Sequence, residues 1–192
     1  MSAPPPERLT GRAHRLLAAV LVPGDLAVDA TVGNGHDTLF LARRVAPGGR
    51  VIGCDIQPTA LDAAGRRLTA AGLQGAVRLH RAGHERLLEL VPAEEHGRVA
   101  AVTFNLGYLP GGDKRLTTRA ATTRAALDAA ARLLRPGGLL SVLAYVGHPG
   151  GAAELAVVRA WAEAQTGRFA VAVERSPVPA SPVLFALTRA NG

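Results

Sequence analysis

Asp29-Ala30-Thr31-Val32-Gly33-Asn34-Gly35 stands where a short apolar run, residues 26–29, gives way to a helical pattern over residues 38–45. That is strand, glycine turn and helix in sequence. Glycines at such a turn let backbone amides approach a ligand closely and supply dihedrals other residues avoid. The same two glycines also suit an ordinary strand-to-helix turn, so the reading depends on what surrounds them.

Outward from this turn the pattern repeats. Residues 50–55 read as a second strand, 61–71 as its helix and 77–80 as a third strand. A helical pattern at 85–91, a strand at 99–105 and a long helix at 117–134 follow, the last ended by Pro136-Gly137-Gly138. Residues 139–145 form a fifth strand and 152–164 a helix; 169–174 and 183–188 close the chain as a pair of strands. Upstream, residues 8–21 have apolar positions at helical spacing and stop at Pro23-Gly24, as an entry helix. Strands alternating with helices predict an α/β fold, a doubly wound and mostly parallel sheet covered on both faces. Residues 1–24 are expected to be an N-terminal segment with the entry helix, and 25–192 a single domain. Ligands of such sheets lie beyond the carboxyl ends of the strands, near the switch in strand order.

Two carboxylates fall at those ends. Asp55 ends the second strand, where a carboxylate accepts hydrogen bonds from both hydroxyls of a ribose. Asp29 ends the first. A dinucleotide fingerprint asks for a third glycine where this chain has Thr38, which disfavours a pyrophosphate ligand. An acidic residue late in the first strand with a looser glycine turn suits a sulfonium amino acid instead. The expected cofactor is S-adenosyl-L-methionine, with Asp29 toward its ammonium, directly or through water. The amides of Gly33, Asn34 and Gly35 are then expected along the methionine moiety, and Thr31 is a further candidate cofactor contact. His84, in Gly83-His84-Glu85 after the third strand, is a candidate neighbour of the adenine, or simply a cap for the next helix.

The fourth strand runs into Phe104-Asn105-Leu106-Gly107-Tyr108-Leu109-Pro110-Gly111-Gly112-Asp113-Lys114. Its Asn-x-x-Tyr spacing resembles the Asn/Asp-Pro-Pro-Tyr loop of amino-group methyltransferases. There a side-chain oxygen and a backbone carbonyl accept the protons of an NH₂ group and aim its lone pair at the methyl carbon, while the ring packs on the substrate. Nitrogen is the expected nucleophile. Leu106-Gly107 stands in place of the two prolines, and an asparagine capping the following turn beside a core tyrosine would carry the same spacing. A neutral amine is required, so Tyr145, His148 and Asp113 are candidates for proton handling.

The net charge is +7, almost all of it arginine, which favours an anionic partner such as RNA; it also suits a chain rich in Ala, Gly and Arg for reasons of base composition. Cys54 is the single cysteine, excluding an internal disulfide and a Cys-based zinc site. No signal peptide and no apolar run near the roughly 18 residues of a membrane span is visible, so a soluble cytoplasmic protein is expected.

Four segments together resemble a known family: Asp29 to Ala42, Asp55-Ile56-Gln57, Phe104 to Lys114, and Tyr145-Val146-Gly147-His148-Pro149-Gly150-Gly151. The chain is similar to small bacterial class I methyltransferases labelled "putative rRNA methylases". These include the enzyme that methylates 5-aminomethyl-2-thiouridine at the tRNA wobble position. The resemblance implies a seven-stranded Rossmann-like sheet, often a homodimer, acting on the anticodon arm of tRNA without a metal. It also implies that Asn34, Asp37, Thr38, Asp55, Gln57 and His84 line the cofactor pocket. Asn105, Tyr108, Tyr145 and His148 would surround the methyl group and target, with Asn105 also bordering the cofactor. An rRNA or small-molecule N-methyltransferase and a non-catalytic nucleotide-binding protein are the alternatives. The chain departs from the family at residues 176–185, where an asparagine-rich stretch is absent, and at Gly83, where a serine is common.

Overall fold

The computed structural model describes residues 8–109, 111, 116–176 and 181–191. Asp113, and the part of the departing segment at 177–180, lie outside the described residues. Seven strands form one sheet in the order β3-β2-β1-β4-β5-β7-β6. These are β1 (Leu26–Asp29), β2 (Arg50–Asp55), β3 (Val77–Arg81), β4 (Val99–Leu106), β5 (Leu134–Ala144), β6 (Phe169–Arg175) and β7 (Val183–Arg189). The first five pair in parallel, and β7 runs antiparallel to both β5 and β6. The chain builds outward from β1 to β2 and β3, then crosses to β4 on the other side. This reversal leaves a crevice at the carboxyl ends of β1 and β4.

Helices α1 (Leu9–Val20), α2 (His36–Val45), α3 (Pro58–Ala70), α4 (Leu87–Leu90), α5 (Ala120–Leu133) and α6 (Gly151–Ala164) cover the sheet. One face packs Leu17, Leu41, Val45 and Leu68 onto Ala27, Val51 and Ala101. The other packs α5 and α6, with Trp161, onto Phe104, Val142 and Phe185. Alanines 126, 129, 130 and 131 are all buried along α5, and their small side chains bring that helix close to the strands.

Two of the boundaries that differ from the sequence pattern have a clear tertiary cause. The helix expected over 117–134 begins at Ala120, because residues 117–119 are held in an extended path: Tyr108 bridges to Thr117, and the Thr118 amide donates to the Gly107 carbonyl. Strand β5 begins at Leu134, five residues before the expected start, since Pro136-Gly137-Gly138 is absorbed as an irregularity in the pairing with β4. A sequence pattern registers the breakers there but not the partner strand that tolerates them.

Candidate active site

The turn after β1 is held by its own carboxylates. Asp29 is fully buried, and its carboxylate accepts the Thr31 amide at 3.2 Å and the Thr38 hydroxyl at 2.6 Å. Asp55 accepts the Gly33 amide at 2.9 Å through one oxygen and the Gln57 amide at 2.9 Å through the other. Gly35 begins α2 with φ of 76°, and a Cβ there would lie 2.6 Å from the Cα of Ala64 on α3. The close-packing glycine is therefore Gly35, and its contact is helix to helix. Thr38, where a dinucleotide site would have that glycine, is occupied in bonding Asp29.

Beyond the strand ends lies a cavity of about 310 Å³, lined by Thr31, Gly33, Asp55, Gln57, His84, Asn105 and Tyr108 among others. Seven of the candidate residues thus share one site. The others do not line it. Asn34 presents its carbonyl to Arg67 at 2.9 Å, and Gly35 packs on α3. Asp29 and Thr38 sit behind the turn, buried and off the cavity lining. Burial of Asp29, the nearby charge of Asp37 and, least, that of Asp55 push its carboxyl up to about 7 against the hydrogen bonds from Thr38 and Thr31.

Asp37 also faces elsewhere. It accepts hydrogen bonds from His14 at 2.6 Å and from the Asn105 side-chain amide. Burial works to raise its carboxyl, but these two bonds and the charges of His14 and His36 outweigh it, and the group is held below the ordinary carboxylate value. The Asn105 main chain is fixed separately, its amide donating to the Thr31 hydroxyl at 2.7 Å. Because Asp37 only accepts, the Asn105 Nδ2 must point to it, and Oδ1 remains the acceptor end of the amide.

His84 is buried against Phe104, with ring centroids 5.8 Å apart, and meets the Thr122 hydroxyl at 3.3 Å. Burial lowers its pKa despite the carboxylates of Glu85, Glu154 and Asp55, so the ring is neutral at physiological pH. Tyr108 is 40% exposed and meets the edge of His148 at 6.3 Å, nearly perpendicular. His148 contacts the Pro149 carbonyl and the Thr117 hydroxyl through Nδ1, while its buried Nε2 has no partner among the described residues. Tyr145 packs beside Ala13 and Leu184; burial, then the Asp37 charge, pushes its phenol up, so it remains protonated.

Several cavity residues escaped the sequence reading. Ile56 is 48% exposed at the cavity rim directly after Asp55, and its position after a strand-end carboxylate was the available signal. Leu116, Thr117, Thr118 and Arg119 form a wall that the expected helix had concealed. Glu154, buried in the first turn of α6, secures that wall by accepting the hydroxyls of Thr118, at 2.7 Å, and Thr123. Nothing near Glu154 in the chain announces this contact.

The strand order, the reversal beside β1 and the crevice bearing Asp55 and Asn105 define a class I methyltransferase fold. A family profile described as "Putative rRNA methylase" matches residues 51–178. The chain belongs to that family. It is 43% identical over 163 residues to the chloroplastic tRNA (mnm(5)s(2)U34)-methyltransferase of Arabidopsis thaliana, an alignment covering 81% of this chain and 59% of the relative. The chain thus spans less than two thirds of that relative's length. A crystal structure of a "putative rRNA-methylase" from Clostridium thermocellum superposes with a TM-score of 0.91 at 34% identity, covering 97% of this chain and all of the other. A "putative methyltransferase" of Streptococcus mutans, solved in complex with SAH, gives 0.85 at 29% identity, with 96% and 99% covered. Among the described residues no helix is long and apolar enough to cross a membrane.

Proposed function

We propose that this protein is an S-adenosylmethionine-dependent N-methyltransferase that converts the 5-aminomethyl group of 5-aminomethyl-2-thiouridine, at the wobble position of tRNA, into its methylaminomethyl form. The observation that carries the reading is Asn105, which ends β4 at the cavity with its amide nitrogen committed to Asp37 and its carbonyl oxygen left to accept. The Arabidopsis relative, a tRNA methyltransferase by name, supports the acceptor.

The cavity's chemistry suits the cofactor. Asp55 uses one lone pair of each oxygen on backbone amides and keeps others for ribose hydroxyls, exposed Ile56 offers an apolar surface to a base, and neutral His84 adds a flat ring beside it. When bound, S-adenosylmethionine supplies an electrophilic methyl group. The chain's own part is orientation and desolvation. Asn105 Oδ1 accepts an amine N–H, Tyr108 packs on the target base, and protonated Tyr145 donates but does not act as a base. His148, behind the cavity-lining Tyr108 and with no partner for its Nε2 among the described residues, is the group we assign to take up the proton. Asp29, Gly35 and Thr38 hold the turn. The positive charge suits the anticodon arm as partner, and the lone cysteine suits the cytoplasm.

The test is direct: purified protein, S-adenosylmethionine and tRNA bearing the aminomethyl nucleoside are combined, and the wobble nucleosides are analysed by mass spectrometry. Gain of one methyl group on that nucleoside is expected. No gain on tRNA, with methylation of ribosomal RNA instead, would overturn the acceptor and leave the cofactor reading standing.

A further inference from the structure

We infer that His14, on helix α1, is a positioning residue for the transfer: through Asp37 it holds the Asn105 side-chain amide in the orientation that presents Oδ1 to the acceptor amine. The inference rests on the role proposed for Asn105 and extends it to a helix with no residue lining the cavity.

Three side chains far apart in sequence form a continuous chain. His14 Nε2 lies 2.6 Å from one oxygen of Asp37, and the other oxygen of Asp37 accepts from Asn105 Nδ2. The His14 ring is stacked on Phe40, one turn beyond Asp37 on α2, with centroids 4.0 Å apart and planes 3° from parallel. Ala13 is buried against Leu143 and Leu184, so α1 is seated on the sheet beside the site.

An asparagine amide has two nearly isosteric orientations that differ by exchanging a donor with an acceptor. With the Asn105 backbone amide held by Thr31, that flip is the freedom left to the group. In the wrong orientation Nδ2 would donate to the amine's lone pair and direct it away from the methyl carbon. A carboxylate beside Nδ2 selects the right one, provided the carboxylate stays in place. His14 restrains it from the opposite side, with hydrogen bonds to a charged group being among the stronger ones. The side chain of His14 is one third exposed, so the anchor for Asp37 comes from the outer edge of a helix that is otherwise seated on the sheet.

His14→Phe keeps a flat ring for Phe40 and deletes the bond to Asp37. Its turnover is expected to fall about tenfold, with S-adenosylmethionine affinity unchanged and the melting temperature close to that of the parent protein. Introduced on top of Asn105→Ala, the same change should cost no further activity, because its route to the reaction is gone. Unchanged turnover, or the same fold-loss in both backgrounds, would overturn the inference. A second measurement needs no acceptor: the Asn105 side-chain amide resonances of isotope-labelled protein, identified by their loss in Asn105→Ala, should shift and exchange faster with water in His14→Phe. Resonances indifferent to His14 would also overturn it. Should the parent protein fail to methylate tRNA, the functional reading falls and the amide resonances alone judge His14.

Discussion

The two halves of the crevice are built by different means. On the side of β1 to β3, Asp29 and Asp55 are fastened to backbone amides two residues along the chain, at Thr31 and Gln57, and Asp55 also takes the Gly33 amide. On the side of β4 and β5, side chain meets side chain across the fold: His14 with Asp37, Asp37 with Asn105, Glu154 with Thr118 and Thr123. On the proposed function, the first half would be the cradle for the cofactor, the part shared by every turnover, and the second the wall for the acceptor, with parts that arrive on α1, α2, α6 and the residues before α5.

If this division is real, substitutions in the two halves should fail differently. Asn105→Ala is expected to lower turnover by about 10²- to 10³-fold, the scale for losing one oriented polar group in an active site, with a far smaller change in S-adenosylmethionine affinity. Single-turnover kinetics beside calorimetry checks this; an equal loss in both quantities would erase the distinction between the halves.

Asp29 offers a stability test of the cradle. Its carboxyl, pushed up from an ordinary 3.8 to about 7, keeps its proton in the folded protein where the unfolded chain has released it. The folded state then binds more protons than the unfolded state between those values, so this group's contribution falls as pH rises through the window. Asp29→Asn, which keeps an acceptor for Thr31, should therefore be more stable than the parent at pH 8 by an amount on the order of a few kcal/mol, seen as a higher melting temperature, and converge with it near pH 4. A melting difference independent of pH would show that the carboxyl is not perturbed as described.

Asp55→Ala should act on binding. Loss of a charged acceptor for ribose hydroxyls, and of the Gly33 anchor, is expected to weaken S-adenosylmethionine about 10- to 100-fold in calorimetry while bound cofactor still reacts. A smaller and purely structural effect is expected from Gly35→Ala. The new methyl would meet Ala64, and the change should cost about 2 kcal/mol, roughly 5 °C in melting temperature, with affinity little altered once folded. Thermal unfolding that matches the parent would place the close contact between α2 and α3 in error.

The same division explains which residues the sequence made readable. Gly33, Asp55 and His84 were recognisable because a strand end followed by a turn carries its meaning within a few residues, Gln57 came from the family resemblance, and the structure brings all four to the cavity. Asn105 and Tyr108 were readable for the same reason. Asp29, Asp37 and Thr38, expected at the cofactor, have hydrogen bonds to Thr31, Thr38, Asp29, His14 and Asn105 that no motif shows. A carboxylate's position in a motif says where its backbone lies and not which of several nearby donors its oxygens take. Thr117 to Arg119 were hidden inside an expected helix, since the bridge from Tyr108, the bond from the Thr118 amide to the Gly107 carbonyl and the Glu154 carboxylate hold them extended.

The sequence by itself determined the doubly wound sheet and the positions of the strand ends, because hydrophobic period and turn residues act over short spans of chain. It also determined that a nucleoside-bearing cofactor and an amine were the chemistry to look for. Only the tertiary structure decided which face each carboxylate serves and that α1 reaches Asn105 through Asp37. Those contacts join residues 23 and 68 positions apart, and they exist only once packing has brought the helices onto the sheet.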